Sequence, residues 1–119
     1  MNTKEYTESC RRTETRNDWD EVKPELAGNV RLVHTLLGLS TEAGEAIDIF
    51  KKSLYYKREF DVEHFKSELG DLLWYLAMAA DIVGSSLEEV MEINVKKLAK
   101  RYPEKFTTDL ANHRKEGDI

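Results

Sequence analysis

The chain has 119 residues, of which 34% are charged, with a mean hydropathy of −0.60; this is the length of one soluble domain with a single modest core. Its net charge of −5 leaves no surplus of Lys and Arg to cover a phosphate backbone, which excludes a non-specific nucleic-acid binder, and no window nears the roughly 18 apolar residues that span a bilayer. Cys10 stands alone, so neither an intrachain disulfide nor a thiol-rich metal site is available, and without an apolar leader in MNTKEYTESCRRTETR the expected compartment is the cytoplasm.

Strand-like alternation and NG or DG hairpin turns are missing, and only Pro24 and Pro103 interrupt the chain as prolines. The pattern predicts an all-α fold, a bundle of about four helices. A polar first helix is expected from about Lys4 to Arg16, inside an N-terminal arm of residues 1–23. A long second helix starts near Pro24 or Glu25 and carries the stripe Leu26, Val30, Val33, Leu37, Gly44, Ile47, Leu54 as its buried face. The stretch YYKREFD breaks that pattern, and Asp61 is an N-cap for the third helix, whose stripe is Phe65, Leu69, Leu72, Leu73, Leu76, Ala80 and Val83, with Gly84 as its stop. Ser86 and Glu89 form a capping box for a fourth helix that ends before Pro103. Residues 107–119 read as a polar, loosely held tail. Within the third helix, LLWYLAMAADIV is apolar around nearly its whole circumference, with Asp81 its sole charge. So short a chain cannot bury that segment alone, so the core is expected to be completed by homo-oligomerisation.

Two acidic pairs stand inside these helices: Glu42 and Glu45 in STEAGEAID, Glu68 and Asp71 in SELGDLL. Residues three apart on a helix lie about 60° apart around its axis, so each pair points one way. If the second and third helices are antiparallel neighbours, the pairs face each other, and four convergent carboxylates repel unless a cation cancels their charge. A hard divalent ion such as Mg²⁺ or Mn²⁺ takes oxygen ligands and suits such a site. A solvated acidic face is the plainer account, as for Glu88, Glu89 and Glu92. Gly44 and Gly70 weigh against it, because helical glycine costs about 1 kcal/mol unless something approaches closely. From the residues alone both accounts stand.

The motif EAGE followed by ELGD resembles the E-x-x-E … E-x-x-D signature of the all-α nucleoside triphosphate pyrophosphohydrolases, and the chain resembles their MazG-like members. The segment INVKKLAKRYPEKF is similar to that family's closing motif, and the resemblance covers about residues 26 to 106. It implies that residues 24–106 form a catalytic helical domain hydrolysing the α–β phosphoanhydride of a nucleoside triphosphate to a monophosphate and pyrophosphate. It also implies Mg²⁺ on Glu42, Glu45, Glu68 and Asp71, with Glu45, or Glu42 in its place, orienting or deprotonating the attacking water. Asn94, Lys97 and Arg101, at spacings of three and four on one helix face, would hold the phosphates, although the spacing alone, with Lys96 and Lys100 beside them, favours a solvated basic face. Tyr75, one turn after Asp71, would touch phosphate or else pack in the core. The implied partners are a nucleoside triphosphate and further copies of the chain as a homodimer or homotetramer, with neither nucleic acid nor membrane.

The base pocket is less defined. Trp19, His34, Phe60 and Trp74 are the available rings, with Trp19 expected to pack the arm, His34 to be a core histidine and Trp74 to lie in the core or a dimer interface. Lys51 and Lys52 suit a helix C-terminus as well as a phosphate, and Cys10 reads as incidental. Thr41 stands where many relatives carry a further Glu, and Asp48 is the residue that could compensate. Two rival readings remain: hydrolysis of another phosphoanhydride, such as phosphoribosyl-ATP or an alarmone, and a non-enzymatic helical oligomerisation or regulatory module.

Overall fold

The computed structural model describes residues 1–14, 24–114 and 117, with the backbone alone over 24–29. These residues form α1 (Thr3–Thr13), α2 (Pro24–Tyr55), α3 (Val62–Ile82), α4 (Leu87–Arg101) and α5 (Thr108–Asn112), and no strand occurs among them. Trp19 lies outside the described residues. Four of the five starts show the same chemistry: a short polar side chain accepts an N–H that has no helical partner. Asn2 does so for Glu5 in a full capping box, Asp61 for His64, Ser86 for Glu89 and Thr107 for Leu110.

Three local expectations change. α1 stops at Thr13, because Glu14 turns to an extended conformation where continuation toward Arg16 was expected. The Ser86 box is half formed: the Glu89 carboxylate accepts the neighbouring Ser85 hydroxyl. In the polar tail, Thr107 caps a single helical turn, α5. The stop of α3 is as expected. Gly84 takes φ +75°, and the N–H groups of Gly84 and Ser85 close back onto Asp81 and Ala80.

The contacts between α2 and α3 run in opposite order along the two chains. Arg31 meets Asp81, Gly38 meets Tyr75, and Glu42 meets Asp71 and Glu68, so the helices are antiparallel, joined by residues 56–61. The face of α2 that meets α3 is therefore Arg31, Thr35, Gly38, Glu42 and Ile49, at spacings of four, three, four and seven. Thr35 is fully buried there, its hydroxyl donating to the Leu32 carbonyl at 2.7 Å. The expected apolar stripe is on another side: Val33, Leu37, Ile47 and Leu54 are all about half exposed or more in the single chain. Leu69, Leu73, Leu76 and Val83 of α3 are likewise exposed. Periodicity defined an apolar face correctly but could not say what covers it.

The buried core of the chain is small. Cys10 of α1, Ala77 and Met78 of α3 and Leu87 of α4 pack together, with Tyr6 and Trp74 against them. Cys10 is thus a core residue and not incidental; burial pushes its thiol pKa up, which suppresses the reactive thiolate. Charge completes the attachment of α1. Arg31 donates to Glu14 at 2.7 Å and to Asp81 at 2.7 Å, and Arg11 donates to the same Asp81. The one charge in the apolar run of α3 is therefore where three helices are tied together. The two guanidinium groups hold its carboxyl down at about 2.

Candidate active site

Antiparallel packing turns two helix-borne acidic pairs toward one another. Carboxylate oxygens of Glu42, Glu68 and Asp71 all lie within 4.8 Å of one another. Opposite ligands of a cation bound at about 2.1–2.4 Å are about 4.2–4.8 Å apart, so three oxygens at this spacing fit around one hard ion. Glu68 is 8% exposed, and its Oε1 lies 3.0 Å from His64 Nε2, one turn earlier on α3. Burial, the Glu68 carboxylate and the charges of Asp71 and Glu45 all raise the pKa of Glu42. A cation bound here would offset this repulsion, and an all-oxygen donor set suits a hard one.

Glu45 is not a member of this cluster. It is exposed one turn along α2, near enough for its charge to act on Glu42. Asp48, one turn further and outside the cluster, pairs with Lys52 at 2.7 Å and Lys51 at 3.5 Å along its own helix. The Thr41 hydroxyl donates to the Gly38 carbonyl, a bond within its own helix.

A cleft of about 300 Å³ opens beside the carboxylates, lined by Glu42, Asp71, Tyr75, Trp74 and Thr13. Tyr75 is placed by a glycine that sequence reading passed over. A Cβ at Gly38 would collide with the Tyr75 ring, whereas one at Gly44 or Gly70 would meet nothing. The close approach expected at those two glycines is thus found at Gly38, which sits directly on the α2–α3 face. Burial first, then Glu42 and Asp71, raises the Tyr75 hydroxyl pKa, which keeps the phenol protonated and able to donate.

Trp74 is half-buried, its indole N–H donating to Thr13 Oγ1 at 2.8 Å. His34 is exposed and not a core histidine; its ring meets Trp74 and Tyr75 edge-on at 6.2 and 5.5 Å. Phe60 lies with Phe50 and Phe65 at the other end of the α2–α3 pair. Asn94, Lys97 and Arg101 lie on α4, which contributes nothing to the lining of this cleft. His64 and Thr13 were missed by sequence reading. The spacing of four between His64 and Glu68 was the one available signal for the former, and nothing local signals the latter.

An antiparallel helical pair presenting a carboxylate cluster at an aromatic-walled cleft places the chain among all-α proteins with a candidate metal site between facing helices. The family model for the MazG nucleotide pyrophosphohydrolase domain matches residues 31–106. The chain belongs to this family of nucleotide pyrophosphohydrolases, whose members typically depend on a metal. Comparison with curated proteins and with solved structures returned no match. No helix among the described residues is long and apolar enough to cross a membrane.

Proposed function

We propose that the chain hydrolyses the α–β phosphoanhydride of a ribo- or deoxynucleoside triphosphate, releasing the nucleoside monophosphate and pyrophosphate. The observation that carries this reading is the convergence of Glu42, Glu68 and Asp71 at one cleft with Tyr75 and Trp74. Water adds its oxygen to phosphorus, the bridging P–O bond breaks, pyrophosphate leaves, and a carboxylate takes the water's proton.

Glu42, Glu68 and Asp71 are the residues that would hold Mg²⁺, or Mn²⁺, with Glu45 as a fourth, more exposed carboxylate. A bound divalent ion would screen the carboxylates from the triphosphate and withdraw charge from the phosphoryl oxygens. His64 orients the Glu68 carboxylate through its bond to Oε1, as a ligand's own partners commonly do. Glu45, exposed and one turn from the cluster, takes the proton of the attacking water, with Glu42 as the alternative base. The Tyr75 hydroxyl, held protonated, donates to a phosphoryl oxygen. Asn94, Lys97 and Arg101 of α4 do not line this cleft in the single chain; their role in holding the leaving phosphates rests on the resemblance of residues 93–106 to the family's closing motif.

The assembly proposed is a homodimer or homotetramer in the cytoplasm. Two observations support association. Apolar faces of α2 and α3 are uncovered in the single chain, and its radius of gyration is 18.2 Å, against about 13–14 Å for a compact domain of this length.

A panel of ribo- and deoxynucleoside triphosphates with Mg²⁺, resolved by chromatography, tests the reaction. Monophosphate and pyrophosphate, lost with EDTA, are expected. Glu68→Gln should abolish turnover, keep the helical circular-dichroism spectrum, and cancel the rise in Tm that Mg²⁺ gives the wild type. Wild-type turnover in Glu68→Gln would refute the metal assignment, and intact triphosphates across the panel would refute the substrate class.

A further inference from the structure

Helix α1 lies outside the residues that match the family, yet its last residue forms part of the cleft wall. Thr13 is committed on two sides. Its hydroxyl donates to the Cys10 carbonyl at 2.9 Å and accepts the Trp74 indole N–H at 2.8 Å. An indole has one polar hydrogen, so this bond fixes the Trp74 ring against the end of α1. The rings of His34 and Tyr75 cross that of Trp74 at 81° and 78°, so neither lies parallel to it as a stacked partner.

The peg itself is anchored. Glu14, the next residue, accepts from Arg31, and Arg31 and Arg11 both grip Asp81 of α3. Outside the cleft lining, the Tyr6 hydroxyl of α1 donates to the Gly70 carbonyl at 3.2 Å, one residue before Asp71. The arm therefore meets the site at Trp74 and is tied to the backbone next to Asp71.

We propose that α1 is the base-selecting element of this site: the nucleobase stacks on Trp74, and Thr13 is the positioning residue that sets the indole's angle. This rests on the nucleotide reading above and extends it to residues that the family match does not reach. A nucleoside triphosphate is anionic at one end and a flat heteroaromatic ring at the other. The cleft would suit both ends, with a divalent ion on Glu42 and Asp71 taking the phosphates and Trp74 the ring. Stacking alone tolerates every base, because each has a π-face. Discrimination between purine and pyrimidine then needs a wall whose angle is fixed, and the Thr13 bond fixes it.

Trp19→Phe leaves Trp74 as the only tryptophan of the two in the chain, so its fluorescence reads binding without turnover. The probes are α,β-imido analogues of a purine and of a pyrimidine nucleoside triphosphate, with Mg²⁺. Thr13→Val keeps the branched shape and removes both hydrogen bonds, and Thr13→Ser restores the hydroxyl. Thr13→Val should change the purine-to-pyrimidine affinity ratio by at least about threefold, a fraction of what one base–aromatic stack is worth. In turnover it should raise KM more than it lowers kcat, and Thr13→Ser should return both toward wild type. A Thr13→Val protein that melts lower but keeps the wild-type ratio would show a purely structural peg and overturn the proposal. If that variant does not fold, Trp74→Phe carries the same comparison through the KM ratio, with an unchanged ratio again overturning it. Turnover without any Trp74 response refutes this inference alone. Neither binding nor turnover with any nucleotide refutes the substrate reading, and the inference falls with it.

Discussion

Asp81→Asn removes the charge on which α1, α2 and α3 converge while keeping the side chain's shape. In the folded chain the Asp81 carboxyl sits at about 2 against an ordinary 3.8, held down by hydrogen bonds from Arg11 and Arg31 that outweigh its partial burial. At roughly 1.4 kcal/mol per unit, that depression stabilises the ionised form by about 2 kcal/mol. The Asp81 side chain is 16% exposed but Arg11, its leading partner, is 49% exposed, so solvent screening makes about 2 kcal/mol an upper bound. Asn still accepts one hydrogen bond and Arg31 keeps Glu14, so the loss should be about 1–2 kcal/mol and not reach the larger cost of a fully stranded buried charge. The sign fixes a pH window. A depressed carboxylate pKa contributes stability that is complete above 3.8 and is lost as pH falls through about 2. Urea melts of wild type and Asp81→Asn at one protein concentration should therefore differ by about 1–2 kcal/mol at pH 7, narrowing steadily below pH 4. No difference at pH 7, or an equal difference at pH 7 and at pH 2.5, would refute the reasoning.

Gly38→Ala should cost about 1–3 kcal/mol, because the new methyl meets the body of the Tyr75 ring and not a movable side-chain end. Thermal denaturation measures the loss, and an unchanged Tm would mean that the ring has room to retreat. Leu37→Glu on the exposed stripe of α2 should lower the mass seen by sedimentation to that of one chain. An unchanged assembly would show that this face is not the interface.

Local order was legible along the chain. The N-cap at Asp61, the glycine stop at Gly84 and the start at Pro24 each depend on chemistry within a few residues. The acidic pairs could be seen as candidates because spacing of three fixes a shared direction on a helix. Their convergence into Glu42, Glu68 and Asp71, with Glu45 left outside, depends on the rotation and register of α2 on α3, which no local signal carries. The same register decides that Gly38, and neither Gly44 nor Gly70, is the glycine at which a Cβ meets the Tyr75 ring. His34 shows the reverse error: an apolar sequence neighbourhood suggested the core, but its side of α2 is exposed at the cleft edge.

The sequence by itself determined that this chain is helical, where most of its helices begin and end, and which carboxylates could act together. These follow from hydrogen-bond partners and periodicities only a few residues long. The tertiary structure alone decided that the widest apolar stripes stay uncovered in the single chain, and that α1 closes one side of the cleft. Both depend on contacts between residues far apart in the chain, such as Thr13 with Trp74 and Arg31 with Asp81, where geometry selects among many partners that sequence leaves equivalent.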